Sequence, residues 1–265
     1  MSLKIIIITY IIICSLAFFF QRKLQHFPNK DLKEPAFYGL KNFNIQTLVG
    51  KNNLKITSWF KAPENDKKII VYFHGNGDNL GNRSSRYDLF SQAGYGIMAL
   101  SYQGYGASQG SPNQKGLMQN AQLVTDFLLK KGFGPEDMIF YGESMGSFVA
   151  VKHAVQINPH AVILEAPFYS MLEIAQKNYW YLPASLLLKD KFRSNKYADK
   201  IKSKTLIFHG SKDKVVPISS GKKLFQLFKS NKKFIEVENA GHIAIADKFL
   251  LDEMDKFLED EELVK

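Results

Sequence analysis

The chain opens on sixteen residues without a charge, Ile5 to Phe20, held between Lys4 and the pair Arg22-Lys23. From about residue 43 the pattern changes, and short apolar runs rich in β-branched and aromatic residues alternate with longer amphipathic stretches. Phe43–Val49 and Leu54–Lys61 read as an opening pair of strands joined by the turn Lys51-Asn52-Asn53. Lys68–Phe73 and Gly96–Tyr102 are strands flanking a helix at Arg83–Ala93, and a helix follows at about Leu117–Lys131. Met138–Tyr141, Ala161–Glu165, Thr205–His209 and Phe234–Val237 complete the strands, and Ile243–Leu258 is a terminal helix. Strands that alternate with helices predict an α/β fold, a mostly parallel sheet covered on both faces.

One stretch breaks the rhythm. Residues 167–202 hold Tyr179-Trp180-Tyr181-Leu182-Pro183 and Leu186-Leu187-Leu188 in basic surroundings. An insertion between two sheet strands can cover a site at the strands' C-terminal ends, so a small helical cap is expected here rather than a pair of ordinary surface helices.

As a helix, Ile5–Phe20 spans roughly 24 Å, workable against the ~30 Å hydrocarbon core with snorkelling flanks. A signal peptide would end at the small-x-small site Ser15-Leu16-Ala17 and leave a mature chain beginning Phe18-Phe19-Phe20. The apolar run continues past that site, which favours an uncleaved single-pass anchor over secretion to a periplasmic or extracellular space. The expected division is therefore an anchor and linker over residues 1–35 and a catalytic domain over 36–265 with its cap at about 167–202.

With 265 residues and 45% hydrophobic content, the chain can bury one substantial core. Cys14 is the single cysteine, so no internal disulfide forms. The six histidines include no pair at i, i+4 spacing, which argues against a metal site; no cofactor is expected either. The net charge of +10 is uneven: residues 166–204 and 212–233 are strongly basic, and 247–265 is acidic. No nucleic-acid module accompanies the basic runs, and nucleic acid is excluded as a partner.

Gly142-Glu143-Ser144-Met145-Gly146 stands between a strand and a helix-like stretch, the context of a nucleophile elbow. A serine hydroxyl is a weak nucleophile that needs an adjacent base, itself oriented by a carboxylate. Downstream, Asp213 lies in a loop after Thr205–His209, and His242 lies in a loop after Phe234–Val237. An imidazole exchanges protons near neutral pH and can act first as base and then as acid. The oxyanion donors are expected to be the backbone N–H of Met145 and that of Asn76, with Gly77 as the alternative, in the loop Gly75-Asn76-Gly77. His74 is read as structural.

These residues resemble the α/β-hydrolase superfamily. The resemblance is carried by His74–Asn79, Tyr102–Ser108, Gly110-Ser111-Pro112, Gly142–Gly146, Leu164–Phe168, His209–Asp213 and Gly241-His242. More narrowly the chain resembles the small membrane-anchored proteins of the bud-emergence and protein-depalmitoylase type, in which an N-terminal anchor is followed by a phrase like Gln25-His26-Phe27-Pro28. It departs from that pattern at Gln103, Gln114 and Lys204, where arginine, glutamate and proline are usual. Those departures bear on loop geometry and substrate preference and leave the triad intact.

The implied activity is serine hydrolysis of a carboxylic ester or thioester through an acyl-enzyme, on a lipid or lipidated-protein substrate at a membrane reached through residues 5–20. A peptidase or acyltransferase on the same fold, and a catalytically silent membrane-anchored binding protein, are the alternatives.

Overall fold

The computed structural model describes residues 2–260. Residues 261–265, the end of the expected catalytic domain and of the acidic run, lie outside the described residues. Among the described residues, ten strands and eight α-helices follow one another. A long helix α1 (Leu3–Gln25) is followed by a two-residue strand β1 (Phe27–Pro28), then β2 (Asn44–Val49) and β3 (Lys55–Lys61). Next come β4 (Ile69–Phe73), the two-residue β5 (Gly77–Asp78), α2 (Ser84–Gln92), β6 (Gly96–Leu100) and α3 (Gln114–Lys130). β7 (Met138–Glu143), α4 (Met145–Ile157) and β8 (Ala161–Glu165) lead into α5 (Met171–Asn178) and α6 (Ala184–Leu187). β9 (Lys204–Gly210), α7 (Ile218–Leu227), β10 (Lys232–Val237) and α8 (Asp247–Glu259) complete the chain.

Eight strands form one sheet in the order β10-β9-β8-β7-β4-β6-β3-β2. Every neighbouring pair is parallel except those involving β3, which runs antiparallel to both β2 and β6. The period of two in each strand sorts its side chains to opposite faces. Ile69, Val71 and Phe73 of β4 join Met138 and Phe140 of β7 in one core, beneath α3 and α4. Ile70 and Tyr72, with Ile139 and Tyr141, enter the other, beneath α2 and α8. Both faces being buried explains why the central strands read as unbroken apolar runs.

The predicted strands lie within two residues of the observed ones. The terminal helix starts at Asp247 rather than Ile243, because residues 238–246 form the loop that carries His242, with Asn239 and Ile243 both at positive φ. α7 was not visible in the pattern; its residues read only as part of a lysine-rich run. Residues 167–202 contain α5, α6 and two single 3-10 turns; α5 and α6 line the cavity above Ser144, beyond the C-terminal end of β7, and the stretch after them returns to the start of β9.

α1 is long and apolar enough to cross a membrane, with mean hydropathy 2.5 over its most apolar window, and that window is unburied. It projects from the domain, but its last turns do not. Gln21 and Gln25 are buried, and Arg22 Nε pairs with Asp190 at 2.7 Å. β1 pairs in parallel with β5, Phe27 opposite Gly77, so the segment just after α1 is stitched to the loop following β4.

Candidate active site

Ser144 sits between the last residue of β7 and the first of α4, with φ 49° and ψ −112°. A non-glycine residue held there carries strain of about 1–3 kcal/mol. The surroundings enforce it: the Ser144 N–H donates to the Glu165 carbonyl at 2.9 Å. A Cβ on Gly142 would come within 2.7 Å of Ser147 Cα, and one on Gly146 would run into the Phe73 carbonyl. Both flanking glycines are thus required by close backbone approach.

The three residues expected to act together meet. His242 Nε2 lies 3.0 Å from Ser144 Oγ, and His242 Nδ1 lies 2.7 Å from Asp213 Oδ2. With the proton on Nδ1 directed to Asp213, Nε2 is free to accept the serine hydroxyl hydrogen. Asp213 is anchored through its other oxygen, which accepts the N–H groups of Val215 at 2.8 Å and Val216 at 2.9 Å. Burial pushes the Asp213 carboxyl up, but hydrogen bonds from His209 and His242 outweigh it and hold the group below the ordinary carboxylate range. His209, unassigned in the sequence, also places Nε2 2.9 Å from the Val216 carbonyl and so braces the loop that presents Asp213.

Met145 is the first residue of α4, where helical N–H groups have no intrahelical acceptor. Asn76 lines the same cavity as Ser144 and Met145, and its backbone N–H has no acceptor among the described residues. Its carbonyl is held from two sides, by Phe27 N–H at 2.9 Å and the Tyr105 hydroxyl at 2.8 Å. Gly77, the alternative donor, lies opposite Phe27 in β5 and is not among the residues lining that cavity. His74 is wholly buried, its Nδ1 2.7 Å from the Gly75 carbonyl. Burial lowers its pKa to about 3, which keeps it neutral.

Two buried ion networks underlie the site. Glu143 accepts from Arg83 at both oxygens, from the Tyr72 hydroxyl at 2.7 Å and from Gly75 N–H at 3.2 Å. Burial pushes the Glu143 carboxyl up, yet Arg83 overcomes it and brings the pKa to about 2. Arg86 bridges Glu165 on β8 and Asp247 at the start of α8, the latter at 2.7 Å, and so ties down the end of the His242 loop. Neither network has a local spacing that would reveal it. At two of the departing positions, Gln103 Nε2 donates to Ser111 O, and Gln114 Oε1 accepts Phe192 N–H at 2.7 Å.

A cavity of about 260 Å³ opens above Ser144. Phe168, Met171, Ile174, Leu182, Leu187 and Val216 are among its apolar walls, and no lining residue is charged. A larger, open cavity of about 1030 Å³ lies at the opposite, N-terminal ends of β7–β10. It is lined by Lys202, Lys204, Lys229 and Lys232 and holds none of the reactive groups.

Residues 64–191 match the family model described as serine aminopeptidase S33, and residues 184–249 match the alpha/beta hydrolase fold model. Human alpha/beta hydrolase domain-containing protein 17B is 33% identical over 204 residues, covering 75% of this chain and 68% of that protein. The chain belongs to the α/β-hydrolase superfamily. This hydrolase is also 30% identical over 241 residues to lysophosphatidylserine lipase ABHD12 of Danio rerio, covering 76% of this chain and 63% of that one. An esterase of Pyrococcus furiosus superposes with TM-score 0.69 at 16% identity, over 89% of this chain and 97% of that chain. An alpha-beta hydrolase from Vibrio vulnificus does so with TM-score 0.72 at 19% identity, over 95% and 92%. Those structures share the fold.

Proposed function

We propose that the protein is a membrane-anchored serine hydrolase that cleaves carboxylic esters or thioesters of acyl, lipid-like substrates. The observation that carries this reading is the unbroken relay from Ser144 Oγ through His242 to Asp213 at the floor of an uncharged apolar cavity. Ser144 attacks the acyl carbon while His242 Nε2 takes its proton, and Asp213 stabilises the imidazolium that forms. The developing oxyanion is held by the N–H groups of Met145 and Asn76, each such donor being worth roughly 10²–10³ in rate. His242 returns the proton to the leaving alcohol or thiol, and water, activated by the same imidazole, releases the acid. No step draws on a metal or cofactor.

The relatives described as a lysophosphatidylserine lipase and an esterase support ester chemistry on lipid-like molecules. The matched model described as a serine aminopeptidase favours a second reading. An aminopeptidase must hold a free ammonium group, and the absence of a lining carboxylate weighs against it. α1 supports anchoring, with its apolar surface unburied.

Labelling of the full-length protein by a fluorophosphonate, lost in Ser144→Ala, tests the nucleophile. Turnover of matched esters, thioesters and aminoacyl amides tests the substrate class. Absence of labelling in the native protein rejects a serine hydrolase, and preference for the amides rejects the ester reading.

A further inference from the structure

α1 does more than lead away from the domain. Ala17, Gln21, Leu24 and Gln25 line the cavity above Ser144 together with the cap. Spaced at i, i+4, i+7 and i+8, they occupy one helical face. Leu16 and Phe19, turned away from that face, are exposed. The inward face is clamped to the cap by polar bonds. Gln21 Nε2 donates to the Leu187 carbonyl at 3.0 Å, Lys189 N–H donates to Gln21 Oε1 at 2.6 Å, and the Lys189 ammonium stands 3.9 Å over the Phe18 ring. Further up the helix the Tyr10 hydroxyl donates to the Tyr181 carbonyl at 2.8 Å. Tyr10 precedes Gln21 by eleven residues, so cap and helix run side by side for roughly 16 Å.

Beside that contact the cap turns large apolar groups outward: Trp180 and Leu186 are each 81% exposed. Such groups are costly in water and favourable against lipid, Trp and Tyr especially near the headgroups. One polar group completes the picture. Gln25 is more than nine-tenths buried, lines the cavity beside Asn76 and Ser144, and its Oε1 has no hydrogen-bond partner among the described residues.

Resting on the ester-hydrolase reading, we propose that the last turns of α1 form a wall of the acyl-binding site, and that α1 and the cap enter the same leaflet. The acyl chain of a membrane-resident ester then slides along α1 to Ser144 without crossing water. Ala17 and Leu24 border its path, and the Gln25 carboxamide faces the polar end of the ester. The bilayer, through its acyl chains, is the occupant that the exposed cap surface fits.

The test uses the full chain. In the Ser144→Ala background, equilibrium binding of radiolabelled palmitate in detergent is measured for Ala17→Leu and Ala17→Trp. Graded weakening is expected, tenfold or more for Trp, while Leu16→Trp on the outward face stays within twofold. Unchanged affinity in both Ala17 variants overturns the wall. A folded state in each variant is verified by its thermal unfolding transition, and the smaller Ala17→Leu change decides should the Trp variant fail to fold. Binding needs no turnover, so a protein without esterase activity fails the functional reading while the palmitate result still judges the wall. In vesicles, Trp59→Phe leaves Trp180 as the only tryptophan; lipids doxyl-labelled on the acyl chain should quench it by half or more. No quenching overturns entry of the cap into the leaflet.

Discussion

Arg83 grips Glu143 through both carboxylate oxygens, at 2.5 and 3.1 Å, and Glu143 accepts the Gly75 N–H one residue before the proposed oxyanion donor Asn76. A buried ion pair thereby sets the height of the loop that faces Ser144. Removing one partner leaves an uncompensated buried charge, which costs about 3–5 kcal/mol. Arg83→Met should lower stability by that amount in urea unfolding of the detergent-solubilised protein, and lower kcat with it. Arg83→Met combined with Glu143→Gln should recover part of the stability. A single variant as stable as the native protein would show the pair to be unimportant.

Asp213→Asn keeps the size of the side chain but can leave the His242 imidazole with its proton on the wrong nitrogen. In serine proteases this exchange lowers kcat by about 10⁴. A fall of 10³-fold or more in ester turnover is expected, with KM little changed. Because Asp213 also receives Val215 and Val216 N–H through its other oxygen, the fold should survive, which circular dichroism checks.

Two glycines near the site should respond oppositely to alanine. Gly146 has no room, since an added Cβ meets the Phe73 backbone, whereas nothing lies within 4 Å of one added to Gly77. Gly146→Ala should fail to accumulate as folded protein or lose fluorophosphonate labelling. Gly77→Ala should change stability by no more than about 0.5 kcal/mol, as for surface substitutions generally.

Burial lowers the pKa of His26 to about 4, of His74 to about 3 and of His153 to about 4, each from 6.5. Between pH 6.5 and 4 the unfolded chain therefore binds protons that the folded chain does not. Their contribution is complete above 6.5 and is lost as pH falls toward 4, with a slope of about 1.4 kcal/mol per pH unit for each histidine. Glu143, lowered from 4.5 to about 2, adds a further loss below 4.5. His153→Gln, away from Ser144, should flatten the slope between pH 4 and 6.5 by about one proton in pH-dependent unfolding. An unchanged slope would mean His153 is protonated in the fold.

The central strands were legible because both faces of a parallel sheet are buried, which turns β4, β6, β7 and β8 into continuous apolar runs. The triad candidates were legible because each follows a strand, Ser144 after β7, Asp213 after β9 and His242 after β10, and loops at the C-terminal strand ends converge. α7 was hidden: Ser220, Gly221 and Leu224 face the core, but the lysines between them dominate the composition. The Arg83–Glu143 and Arg86–Glu165–Asp247 networks span separations that no local pattern encodes. Gln21 and Gln25 carried no signal in the sequence, and only the placement of the cap makes them part of a cavity.

Between the last residue of α1 and the first of β1 there is a single residue, His26, itself buried with Nδ1 3.1 Å from the Tyr105 hydroxyl. A flexible tether would let a catalytic domain drift and tumble over a lipid surface. Here the linkage has no slack, so under the anchoring proposed above the tilt of α1 fixes the bearing of the whole domain, as a mast stepped into a hull fixes the line of the ship.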